Sequence, residues 1–151
     1  MADLAVGISA YTAGNYEVAA REFIKSAHQG DDDAQMTLGF MYANGEGVTR
    51  DDVEAAKWFA ASAAQGNPLA QVSLGSVYAD GKGVAQDFTI AIHWFTKAAD
   101  QGYAKAQYNL GCMYAHGEGV PHDDESAVRW LIAAAEQNFE PAQHNLCLLY
   151  T

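Results

Sequence analysis

One offset dominates this chain: shifted by 36 residues, the sequence matches itself without a gap from position 34 to 151. Ala34, Ala70, Ala106 and Ala142 coincide, followed by Gln35, Gln71, Gln107 and Gln143, then by Leu38, Leu74, Leu110 and Leu146, then by Tyr42, Tyr78, Tyr114 and Tyr150. A second set follows three times: Gly45, Gly81 and Gly117; Gly47, Gly83 and Gly119; Asp51, Asp87 and Asp123; Trp58, Trp94 and Trp130; Ala63, Ala99 and Ala135. A chain built this way is an array of equivalent units, so the fold question reduces to what one unit forms and how it meets the next.

Ala34, Leu38 and Tyr42 lie four apart, which stacks them on one face of a helix of about ten to twelve residues, here helix A. The run 53–65 carries Ala55, Phe59 and Ala63 at the same spacing and predicts a second helix, helix B. Gly30, Gly66 and Gly102 stand where a left-handed residue would end helix B, and Gly45, Gly81 and Gly117 do the same after helix A. Asp51, Asp87 and Asp123 are placed to cap helix B, with Asp51 and Glu54 at capping-box spacing, and Asn67 followed by Pro68 suits a helix A start. The 29 alanines against 3 prolines agree with close-packed helices. Each unit is a hairpin whose apolar face exceeds what it can bury alone, so successive hairpins must stack. The expected fold is all-α, an α-solenoid wound as a right-handed superhelix. Gly39, Gly75 and Gly111 fall inside helix A, where glycine costs about 1 kcal/mol against alanine. Close approach of a neighbouring backbone or ring is the expected compensation, and Cys147 replaces the glycine where nothing further in this chain stacks.

The pattern Ala-Gln-x-x-Leu-Gly-x-x-Tyr-x-x-Gly-x-Gly-Val, followed by Asp and Ala-x-x-Trp-Phe-x-x-Ala-Ala-x-Gln-Gly, resembles the Sel-1-like repeat, a relative of the tetratricopeptide repeat. The expected organisation is one repeat domain over 1–151. It comprises a shorter tetratricopeptide-like opening hairpin at 1–33, repeats at 34–69, 70–105 and 106–141, and a terminal helix A at 142–151. In the opening hairpin Gly14 and Tyr16 form the turn, and Ala19, Phe23 and Ala27 match helix B. The resemblance implies a non-catalytic scaffold that binds another protein or a peptide segment. A secreted, cysteine-rich branch of that family carries a disulfide in each repeat. Cys112 and Cys147, 35 residues apart and so one short of the period, depart from it and are expected to be free thiols.

Other chemistries find little support. A net charge of −11 would repel a phosphate backbone, which excludes nucleic acid as a partner. No apolar run approaches the roughly 18 residues needed for membrane insertion, and the first ten residues do not read as a signal peptide. A cytoplasmic protein is the expectation, with a periplasmic or secreted one open if a signal peptide has been removed. The Gly-x-Gly loops follow helices rather than strands and have two acidic centres of three, unlike phosphate loops. His116, Glu118, His122, Asp123 and Asp124 are close in sequence, but His116 and His122 align with ordinary loop positions in the other units, so no metal and no cofactor is expected. His93 aligns with Lys57 and Arg129 and reads as an exposed cation, while Trp58, Trp94 and Trp130 sit at packing positions. No histidine and acid stand by either cysteine in a way that predicts catalysis.

The candidate site lies on helix A. Residues two before and two after the repeated leucine point about 160 to 200° away from it. They read Met36 and Phe40, Val72 and Ser76, Tyr108 and Cys112, His144 and Leu148, too apolar a set for an idle surface. Beside them Thr37, Ser73, Asn109 and Asn145 offer hydrogen bonds to a peptide backbone. The expected partner-binding residues are Met36, Phe40, Val72, Ser76, Tyr108, Asn109, Cys112, His144 and Asn145, lining a concave surface, with Phe40 read as exposed. An alternative is self-association through the carboxyl-terminal half-unit, where Leu146, Leu148, Leu149 and Tyr150 lack a helix B to cover them.

Overall fold

A computed structural model describes residues 4–149, with the side chain of Leu149 left out. Nine helices follow one another among these residues. They are α1 (Leu4–Thr12), α2 (Tyr16–His28), α3 (Asp32–Asn44), α4 (Asp52–Ala64), α5 (Pro68–Asp80), α6 (Phe88–Asp100), α7 (Ala104–His116), α8 (Asp124–Ala135) and α9 (Glu140–Leu149). The odd-numbered helices are A helices and the even-numbered ones B helices, and each packs chiefly on the next in the chain. The array is an all-α solenoid.

The helix boundaries have local causes. Asn67 accepts from the Ala70 amide with Pro68 in the first turn of α5, and Asp31 accepts from Ala34 at the start of α3. Asp51, Asp87 and Asp123 cap α4, α6 and α8. The capping box at Asp51 is half made: Glu54 reaches Lys57 at 3.0 Å, and the Asp51 amide donates instead to the Tyr42 carbonyl at 2.9 Å. The same closure recurs from Asp87 to Tyr78 and from Asp123 to Tyr114, so the repeated tyrosine marks where the chain leaves helix A and the aspartate returns to it.

The glycines inside helix A are explained by contact. A Cβ on Gly39 would lie 2.7 Å from the Phe59 ring, and one on Gly75 2.7 Å from the Phe95 ring. In the third unit Leu131 takes the aromatic position, 2.9 Å from a Cβ on Gly111. Gly7 performs the same service in the opening hairpin, where a Cβ would meet Phe23 at 3.3 Å. It stands 16 residues before its phenylalanine rather than 20, because the turn at Gly14 is four residues shorter than a Gly-x-Gly loop. That shift in spacing is the signal by which the sequence alone would have found it.

The second glycine of each Gly-x-Gly loop joins units together. A Cβ on Gly47 would overlap the Tyr16 carbonyl, one on Gly83 the Asp52 carbonyl and one on Gly119 the Phe88 backbone. Each loop thus seats on the amino-terminal turn of the B helix of the unit before it, beyond the simple turn role expected for these glycines.

A buried glutamine ladder ties the units along their length. Gln71, 3% exposed, donates to the Ala63 carbonyl at the end of α4 and accepts from Gln101 at 2.9 Å. Gln101 also donates to the Gly66 carbonyl. The arrangement repeats with Gln35, Gln65, Ala27 and Gly30, and Gln107 likewise joins Gln137 and Ala99. Carbonyls at and just past the helix ends thus accept side chains from the next unit, Ala27, Ala63 and Ala99 alongside a backbone amide of their own turn.

Candidate protein-binding surface

Of the residues two before the repeated leucine, Met36, Val72 and Tyr108 turn towards the following unit. Val72 is 1% exposed, in the core with Phe95 and Leu110, so it is a packing residue and not a surface contact. Its placement corrects the sequence expectation. Met36 is half-buried against the cluster around Phe59 and Leu74, and Tyr108 tilts over Phe139 with ring centroids 5.4 Å apart. Two residues after the leucine, Phe40 is also half-buried and meets Phe59 edge to face at 4.9 Å, which corrects its reading as exposed. The cause is shared. A position pointing away from its own leucine still faces the B helix of its own hairpin, as Phe40 does, or the A helix of the next, as Val72 also does.

Four of the expected residues come together. Ser76 on α5 and Tyr108, Asn109 and Cys112 on α7 line one open cavity of about 320 Å³, with Phe95 and Met113 among its walls. Its remaining edge includes Asp80, in the last turn of α5, and Glu118, in the third Gly-x-Gly loop. The sequence reading missed both acids. Glu118 was legible as a loop centre and in a potential metal cluster, and only the stacking of α7 beside α5 sets it on the same cavity as Asp80. Asn109 makes no side-chain hydrogen bond among the described residues and is half-exposed, leaving its amide available. Ser73 differs: its hydroxyl donates to the Leu69 carbonyl of its own helix at 2.9 Å.

A second cavity of about 250 Å³ lies further along, lined by Cys112, Ala115, His116, Leu131, Asn145 and Leu148. Asn145 donates across to the Tyr108 hydroxyl at 3.4 Å and to the Cys112 sulfur at 3.6 Å, so it bridges α9 to α7 at the divide between the two cavities. His144 is exposed on α9 and lines neither. Met36 and Phe40 belong to the first unit and lie apart from both. A wider hollow of about 420 Å³ on α1, lined by residues such as Val6 and Ser9, has no charged residue.

Burial pushes the Cys112 thiol above its ordinary pKa, and hydrogen bonding from Tyr108 and Asn145 opposes this. Burial likewise raises the Tyr108 hydroxyl, aided by its bond with Cys112. Both groups are neutral at pH 7, which suits recognition contacts better than a nucleophile. Cys112 and Cys147 are free thiols, the first half-buried and the second exposed. Alkylation of the native protein is therefore expected to label Cys147 first. Cys112 should react slowly, its rate climbing only at pH above the ordinary thiol range because the thiolate is disfavoured. Mass spectrometry at several pH values checks this, and equal rates at both sites would contradict the burial of Cys112. His122 pairs with Asp124 at 2.8 Å in an exposed loop. No group of three or more potential metal ligands occurs among the described residues. No described helix is long and apolar enough to cross a membrane.

Comparison with known proteins bears on the repeats. The family description of the Sel1 repeat matches residues 32–67, 68–103 and 104–139. Among solved structures, a protective antigen present in uropathogenic Escherichia coli strains, displaying an SLR fold, superposes with a TM-score of 0.93 at 36% identity over 97% of this chain. A Sel1 repeat protein from Oxalobacter formigenes superposes with a TM-score of 0.92 at 36% identity over 99% of it. This chain spans only 32% and 61% of those two proteins, respectively. Helicobacter pylori cysteine rich protein B shares the fold at 17% identity, with a TM-score of 0.69 over 85% of this chain and 95% of its own. A comparison with curated proteins gives no match.

Proposed function

The chain belongs to the Sel1 repeat family, and from that premise we propose that it is a non-catalytic scaffold binding an extended or helical segment of another protein along its A helices. The observation that carries this reading is the cavity shared by Ser76, Tyr108, Asn109 and Cys112, in which two successive units contribute to one opening. It offers an aromatic surface beside an amide that both donates and accepts, a combination that holds an apolar side chain while satisfying peptide backbone. The segment would continue past Asn145 and His144 in one direction and towards Phe40 and Met36 in the other, Val72 being excluded by its burial. Sel1 repeats are protein-interaction modules, and the partner is read from the variable positions rather than from the packing ones.

Tyr108→Ala and Asn109→Ala are each expected to weaken partner binding by about 1–3 kcal/mol with unchanged helix content. Asn109 is the cleaner probe, since no internal hydrogen bond is lost with it. Affinity capture from the source cell followed by mass spectrometry, with each variant beside the parent, makes the test. Recovery of the same proteins in the same amounts by all three would remove the proposed surface.

A second reading, self-association through the carboxyl-terminal half-unit, draws on Leu148, which is 62% exposed on α9 and lines the second cavity with Leu131 and Cys112. Leu146 is partly buried against Leu131 and Ala142, while the side chain of Leu149 and all of Tyr150 lie outside the described residues. Sedimentation over a range of concentrations decides: a dimer that dissociates on Leu148→Glu supports this reading, and a monomer at high micromolar concentration removes it.

A further inference from the structure

The cavity between α5 and α7 has a charge pattern that a general peptide groove does not require. Asp80 and Glu118 both line it, and no lysine or arginine does. Both carboxylates are exposed, and neither has an ion-pair or side-chain hydrogen-bond partner among the described residues. The middle unit supplies a cation close by in sequence, Lys82, but it does not line the cavity. In the first unit the residue equivalent to Glu118 is Glu46, and it is already engaged, accepting from the Tyr11 hydroxyl at 2.9 Å. Glu118 has no such partner. Phe95, Tyr108 and Asn109 line the same cavity.

We infer that this cavity receives an arginine side chain carried by the partner segment. Two carboxylates facing one opening suit a planar guanidinium, whose fork of donors serves more than one acceptor while its face lies on an aromatic ring. A lysine ammonium, a compact and strongly hydrated point charge, satisfies this arrangement less well. The chain's net charge of −11 adds a long-range attraction for a basic segment. The inference rests on the proposed reading of the helix A surface as the binding face, and goes further by fixing the chemistry of one anchor.

The probe is N-acetyl-arginine amide, titrated into nitrogen-15-labelled protein while the Asn109 side-chain amide and the Ser76 and Cys112 backbone amides are followed by NMR. N-acetyl-citrulline amide, of the same shape without the charge, is the comparator. Saturable shifts at these three residues are expected with arginine, and roughly fivefold weaker binding of citrulline, the size that two exposed charge pairs together supply. The double variant Asp80→Asn with Glu118→Gln should erase the preference, as should high salt. Equal shifts from both probes, no shifts from either, or shifts confined to other acidic parts of the surface would overturn the inference. The captured partner separates this result from the surface reading. A partner lost with Asn109→Ala but held at full strength by the double variant overturns the arginine anchor alone. Loss with the double variant supports the anchor, and loss with neither variant overturns the surface as well.

Discussion

Gly83→Ala is expected to lower the stability of the array by about 2–5 kcal/mol, although it adds one methyl group in a surface loop. Gly83 has φ near +75°, a left-handed conformation that costs an alanine roughly 1–2 kcal/mol. The added Cβ would also overlap the Asp52 carbonyl and lie 2.8 Å from the Val53 amide nitrogen. These are backbone atoms at the start of α4 and cannot rotate aside as a side chain would, so the loop must lift from the preceding unit at an overpacking cost of about 1–3 kcal/mol. Gly66→Ala is the control. Its φ of +95° imposes a similar conformational cost, but nothing lies within 4 Å of the Cβ position. Denaturant unfolding of the two variants should show Gly83→Ala losing clearly more, and equal losses would contradict the seating of the loop on α4.

The second large effect is expected at Phe95, 3% exposed between α5 and α7. Phe95→Ala removes the ring against which Gly75 is set and should cost about 3–5 kcal/mol. The helices cannot close the gap, because the glutamine ladder and the Gly83 loop hold the spacing between units. Phe95→Leu should cost far less, since Leu131 fills the equivalent place against Gly111 in the third unit. Thermal unfolding of the pair is sufficient to check this. A leucine variant as damaged as the alanine one would mean that the two units pack by different rules.

Both effects arise between helices that are adjacent in space, and this divides what the sequence made legible from what it did not. The glycines at 39, 75 and 111 announced a close approach, because glycine inside a helix is unfavourable unless something occupies the space of its side chain. The B-helix caps were legible for a similar reason: Asp51, Asp87 and Asp123 act on amides two or three residues away. The glutamines at 35, 71 and 107 repeated just as regularly, yet carried no hint of their partners, which lie 8 residues before and 30 residues after them.

The candidate surface shows the same division. Helical period placed Val72, Ser76, Tyr108 and Cys112 opposite the repeated leucines, and Ser76, Tyr108 and Cys112 do meet at one cavity with Asn109. Val72 does not, and Phe40 meets Phe59 edge to face.

By itself, then, the sequence determined the repeat, the two helices of each unit, their caps and their glycine contacts, because these follow from interactions within a turn or from a steric vacancy that must be filled. The tertiary structure alone decided which outward-pointing residues remain open, which loop seats on which helix end, and that Asp80 and Glu118 share an opening. A helical period fixes a side chain's direction about its own axis. Whether that direction ends in water or against another unit depends on the distance and angle between neighbouring hairpins, and these are set by the summed volumes of side chains from both.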